Sequence, residues 1–78
     1  MIDLKNIDTT KYLNEKLPIE LKEVIKEFYD KVKKNDVDNL WSAYKMIYYE
    51  AKDSWKYNEI SIDKMREIQG YFRRILND

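Results

Sequence analysis

From Leu21 to Leu76 the apolar residues of this chain recur at steps of three and four, with no sustained alternation at every second position. A period near 3.6 buries one side of a helix, whereas a half-buried strand needs a period of two. Leu21, Val24, Ile25, Phe28 and Val32 form the first such stripe. Val37, Leu40, Trp41, Tyr44, Ile47, Tyr48, Ala51 and Trp55 form the second, and Met65, Ile68, Phe72, Ile75 and Leu76 the third. The fold class that follows is all-α.

Local signals set the expected boundaries. Pro18 suits the first turn of a helix, where its missing N–H is no loss, and opens a helix over about 18–34. Lys31, Lys33 and Lys34 complement the dipole at its far end, and Asn35 stops it. Asp36 is positioned to cap a long helix over about 37–57, and Asn58-Glu59 makes the next turn. Ser61 caps a last helix over about 62–76, with Ile60 and Met65 at staple positions around it. Upstream, residues 1–7 read as an extended arm, and Asp8 caps a short helix over about 8–16, with Ile7 and Tyr12 as its staple. Short connections favour antiparallel neighbours. The expected architecture is a single domain over 1–78: a small antiparallel three-helix bundle with an additional short N-terminal helix.

Seventy-eight residues without cysteine must be stabilised by packing alone, and seven Tyr, two Trp and two Phe supply large rings for it. Fifteen basic and fifteen acidic residues cancel. Zero net charge weighs against a nucleic-acid partner, which normally demands a basic excess. The longest apolar or aromatic run, Met46 to Tyr49, is far too short to span a bilayer. The amino terminus lacks an apolar stretch of signal-peptide length, so a cytoplasmic location and no membrane partner are expected. Lys, Ile, Asn and Tyr are abundant, and their AT-rich codons suggest a low-GC microbe or its phage.

Histidine is absent, and with it the usual general base and, together with cysteine, the usual zinc ligands. Asp36-x-Asp38 resembles the start of a calcium loop, but Leu40 and Trp41 stand where a ligand and a glycine belong. Ser-x-x-Lys occurs at Ser42 and at Ser61 without the companion motifs of the enzymes that use it. The single glycine, Gly70, rules out a glycine-rich phosphate loop. No catalytic, cofactor-binding or metal-ligating residue is therefore assigned, and the chain is expected not to be an enzyme.

Two surfaces are candidates for binding. Met46, Tyr49, Asp53 and Tyr57 share a second face of the long helix with Ser42. Met and Tyr are favoured at interfaces, which makes this a docking or self-association ridge. The competing expectation is that residues 1–17 cover it, since Ile2, Leu4, Ile7, Tyr12, Leu13 and Leu17 need an apolar surface to pack on. The second candidate is the last helix, which holds all three arginines, Arg66, Arg73 and Arg74, together with Gly70. Arginine reads planar carboxylates and phosphates better than lysine does. A glycine on a helix surface admits a closely approaching backbone. The expected function is a non-enzymatic protein-binding module acting on another protein, as an inhibitor, immunity protein or regulatory adaptor. The alternatives are a small DNA-binding transcriptional regulator, with the last helix as reader, and a structural homo-oligomer such as a homodimer.

Overall fold

Two asparagines set the lengths of the first two helices. Asn35 and Asn58 stand in the left-handed region, at φ 56° and 63°, where Asn is tolerated better than most side chains. At the first, the Asp36 N–H donates to the Lys31 carbonyl at 2.9 Å and the Asn35 N–H to Val32 at 3.1 Å. At the second, Glu59 donates to Ser54 at 2.8 Å and Asn58 to Trp55 at 2.9 Å. This paired pattern satisfies carbonyls that a helix end leaves open. In the computed structural model, which describes residues 6–77, it closes α1 (Ile19–Lys33) and α2 (Leu40–Lys56). The third helix, α3 (Ile62–Asn77), opens with the predicted cap: the Ser61 hydroxyl accepts the Lys64 N–H at 3.0 Å. No strand occurs among the described residues.

α2 is the central helix. It packs against α1 on one side and α3 on the other, whereas no Cα of α1 comes within 8 Å of a Cα of α3. The connections at 34–39 and 57–61 are too short to run back along a helix, so successive helices run in opposite directions. The Gln69 amide in mid-α3 donates to the Tyr48 carbonyl in mid-α2 at 3.2 Å, and Glu20 at the start of α1 acts electrostatically on Glu50 late in α2. Leu21, Ile25, Phe28 and Tyr29 of α1, Leu40, Ile47 and Ala51 of α2, and Ile68 and Phe72 of α3 form the buried centre. Large rings bridge the α1–α3 gap: Phe72 lies 5.0 Å from Phe28 edge-on and 5.5 Å from Tyr29. Truncating a buried ring of this kind typically costs about 3–5 kcal/mol.

The N-terminal segment fills the rest of that gap, though not as a helix. Residues 9–14 form successive turns, with Leu13 N–H bonded to Thr10 and Glu15 N–H to Tyr12, in three-residue steps only. The short helix predicted over 8–16 is therefore replaced by turns. Tyr12 explains why: its φ of 76° breaks any right-handed run, and its ring is turned inward, 5.5 Å from Tyr71 and 6.0 Å from Phe72. Asp8 does not cap a helix. Its carboxylate accepts the Thr10 N–H and hydroxyl at 2.9 and 2.6 Å, closing a local turn. The predicted arm at 1–7 lies outside the described residues except for Asn6 and Ile7.

Two further expectations are corrected. The helix predicted from residue 37 begins with a 3₁₀ turn, Val37–Asn39, and α2 proper starts at Leu40. Asp36 gives it no capping bond, because its carboxylate is taken by the Asn39 side-chain amide at 2.9 and 3.0 Å. The second correction concerns the stripe on α2. Ala43 and Ser54 are buried with Leu40, Tyr44, Ile47 and Ala51, while Val37, Trp41, Tyr48 and Trp55 are exposed. With neighbours on both sides, the buried arc of α2 is centred between Leu40 and Ile47 and reaches Ala43 at one edge. Trp41, Tyr48 and Trp55, spaced by seven residues, fall beyond its other edge.

Candidate docking face

At roughly 100° per residue, the outward arc of α2 divides into two flanks about Tyr49. On the flank toward α1 stand Met46, Glu50, Asp53 and Tyr57. On the flank toward α3 stand Trp41, Tyr48 and Trp55, with Lys45, Lys52 and Lys56 between them and Tyr49. The apolar members are open to solvent: Tyr57 is 70% exposed, Tyr49 61%, Met46 52%, Trp41 43%, and Tyr48 and Trp55 37% each. The rings are anchored from within. Buried Tyr44 lies 5.9 Å from Trp41 edge-on and 6.3 Å from Tyr48, and Tyr48 lies 5.5 Å from Tyr49. This chain of contacts limits the freedom that the exposed rings have left to lose on binding.

The ridge formed by Met46, Tyr49 and Tyr57, with exposed Asp53, is not covered by any of the described residues, and the expectation that residues 1–17 shield it is overturned for residues 6–17, Ile2 and Leu4 lying outside the described residues. Residues 6–17 are held across the core from α2. The Tyr12 hydroxyl donates to Glu67 at 2.8 Å, the Tyr29 hydroxyl to the Lys11 carbonyl at 3.0 Å, and the Lys64 ammonium bonds Glu15 and Glu67 at 3.1 and 3.3 Å. Burial pushes both tyrosine hydroxyls well above their ordinary ionisation range. The Tyr12 bond, followed by Lys64, holds the Glu67 carboxyl below its usual range. Tyr12 packs against Tyr71 and Phe72 of α3, and Ile7, Leu13 and Leu17 pack against the core, so the described part of the segment leaves Met46, Tyr49 and Tyr57 exposed.

Charge on the two flanks is segregated, which the zero sum conceals. Toward α3, Lys45, Lys52 and Lys56 are joined by Arg66 and Arg73, and none of the five makes a salt bridge among the described residues. Toward α1, Glu50 and Asp53 are joined by Glu20. Glu50 registers this crowding: partial burial, then the charges of Asp53, Glu20 and Glu59, raise its carboxyl above the usual range. Acidic repulsion on one side and unpaired cations on the other give α2 an electrostatic axis across its exposed face.

The three arginines of α3 do not form one patch. Gln69 donates to the Tyr48 carbonyl of α2, and Arg66 and Arg73 share its side of α3, within about 60° of it on the helical wheel. Arg74 lines a shallow cleft on the opposite side with Lys11, Tyr12, Glu67, Tyr71 and Ile75. Gly70 has a helical backbone, and a Cβ there would meet nothing within 4 Å. The fold itself does not require glycine at this position. Periodicity places Trp41, Tyr48 and Trp55 in the core, whereas in the structure they are exposed. Their identical seven-residue spacing, flanked by Lys45 and Lys52, was the available signal.

No helix among the described residues is long and apolar enough to cross a membrane. No protein-family model matches the chain, and no curated protein or solved structure is detectably similar to it.

Proposed function

We propose that this chain is a non-enzymatic protein-binding module that presents the outward face of α2 to another protein, in the manner of an inhibitor, immunity protein or regulatory adaptor. One observation carries the reading: Trp41, Met46, Tyr48, Tyr49 and Trp55 of α2 and Tyr57 at its C-cap are all exposed. They form two apolar rows separated by Lys45, Lys52 and Lys56, and exposed apolar surface rimmed by polar residues marks interaction sites. Trp, Tyr, Met and Arg are the residues enriched at protein interfaces. Ordered rings backed by Tyr44 favour binding because little conformational entropy remains to be lost.

The test compares two immobilised baits, the native chain and a Tyr49→Ser/Tyr57→Ser variant, against a lysate of the source organism. Both substituted side chains are exposed, so the variant keeps its fold, and circular dichroism verifies that. A protein retained by the native chain and lost by the variant supports the reading. Partners that bind both baits equally, or that are lost only on substitution of Arg74 in the opposite cleft, refute it.

A further inference from the structure

The two flanks of α2 are complementary to each other. Lys45, Lys52 and Lys56 lie on one side of Tyr49, and Glu50 and Asp53 lie on the other. We infer that in the free protein this face is occupied by a second copy of the same chain, docked with the two α2 helices side by side and parallel, which a partner protein displaces. The inference rests on the docking reading above and names what occupies that same site in the absence of the partner.

The direction follows from symmetry. A two-fold axis along α2 keeps the helices parallel and sets the α3-side flank of one copy against the α1-side flank of the other. Lys52 then stands at the level of the second copy's Asp53, and Lys56 beside its Tyr57. A two-fold axis across α2 makes the helices antiparallel and sets lysine flank against lysine flank, which is repulsive. Only the parallel arrangement pairs opposite charges, as flanking positions do in two-stranded coiled coils. Tyr49, near the centre of the face, then meets its own counterpart.

Area and net charge agree with this occupant. Trp41, Met46, Tyr49 and Tyr57, the exposed apolar and aromatic side chains within about 80° of Tyr49 on the helical wheel, offer on the order of 500 Å², and the stems of Lys45, Lys52 and Lys56 beside them add to it toward the roughly 800 Å² per partner of a standard interface. Zero net charge leaves no long-range repulsion between copies. A nucleic acid would use the lysine flank alone and would meet Asp53 and Glu50 next to it.

The absence of cysteine allows a direct test on the whole chain. Ser42 and Lys56 are both exposed on the outward face, about 21 Å apart along the helix. A disulfide requires Cα atoms within roughly 7 Å. In a parallel pair, Ser42→Cys cross-links with itself and Lys56→Cys with itself under mild oxidation. In an antiparallel pair, neither does so alone and only the mixture cross-links, which overturns the inference. Sedimentation of the native chain gives a second readout, with a dimer expected. Lys45→Glu/Lys52→Glu and Glu50→Lys/Asp53→Lys each weaken that dimer at least tenfold, and mixing the two folded variants restores it. A native chain that stays monomeric at millimolar concentration overturns the inference while leaving the docking reading intact. If the paired baits also recover no α2-dependent partner, the docking reading fails as well.

Discussion

The Tyr12 hydroxyl donates to the Glu67 carboxylate at 2.8 Å across 55 residues of sequence, and this bond ties the N-terminal segment to α3. Its removal in Tyr12→Phe is expected to destabilise the fold by about 1–2 kcal/mol, since the acceptor is charged. In a domain of this size that lowers the melting temperature by roughly 4–8 °C per kcal/mol. Tyr12→Ala, which also empties the ring's place beside Phe72, should cost about 3–5 kcal/mol. Deleting residues 1–17 should therefore unfold the domain even though residues 6–17 leave Met46, Tyr49 and Tyr57 exposed, so that deletion does not report on whether the docking face is covered. Thermal melts of the two point variants check this.

Acid sensitivity should be carried in part by Glu67. Its folded pKa is lowered by the Tyr12 bond first and by Lys64. The stabilisation is therefore fully present above the unfolded value of about 4.3 and is lost as pH falls through the folded value. Glu67 is half-exposed, so solvent screening keeps the effect below about 1 kcal/mol. Glu67→Gln should be less stable than the native chain at neutral pH and indistinguishable from it near pH 3. Glu50 has the opposite sign. Its raised pKa means that folding disfavours its charge, and stability is regained as pH falls through that value. Glu50→Gln should leave the chain as stable or slightly more stable at neutral pH.

Gly70→Ala should stabilise the domain by about 1 kcal/mol, because alanine is the better helix former and the added methyl meets no neighbour. A loss of melting temperature would show that Gly70 has a structural role its surroundings do not reveal.

Exposed and buried apolar residues should separate sharply. Met46→Ser and Tyr57→Ser are expected to change stability by no more than about 0.5 kcal/mol, whereas Phe72→Ala should cost about 3–5 kcal/mol. Denaturant titration of the three variants measures the contrast. Large losses at Met46 or Tyr57 would mean that the face is covered.

How much of this was legible in the sequence depended on the range of the interaction. The stops at Asn35 and Asn58 and the cap at Ser61 are local chemistry, and each stands where its residue type predicts. The three helices follow from period alone. The centre of the α2 stripe does not, because periodicity locates an apolar arc without showing how far two neighbouring helices cover it. Trp41, Tyr48 and Trp55 fell on the wrong side of that edge. The turn at Tyr12 was hidden for a different reason: its partners, Glu67, Tyr71 and Phe72, lie in the last helix, and nothing near residue 12 announces them. The charge division across α2 was present in the spacing of Lys45 and Lys52 against Glu50 and Asp53, and the zero net charge masked it.

Trp41 and Trp55 are the only two tryptophans of the chain, and both stand on the proposed docking face. Acrylamide quenching of their fluorescence therefore reads the central claim directly. In a dilute, folded, monomeric sample both should be readily quenched, and the quenching of Trp41, about 80° from Tyr49 on the helix and read alone in a Trp55→Phe variant, should fall with a blue-shifted emission as the face becomes occupied at high concentration. Two tryptophans already protected in the dilute monomer would contradict the account, because α2 would then be covered by its own chain.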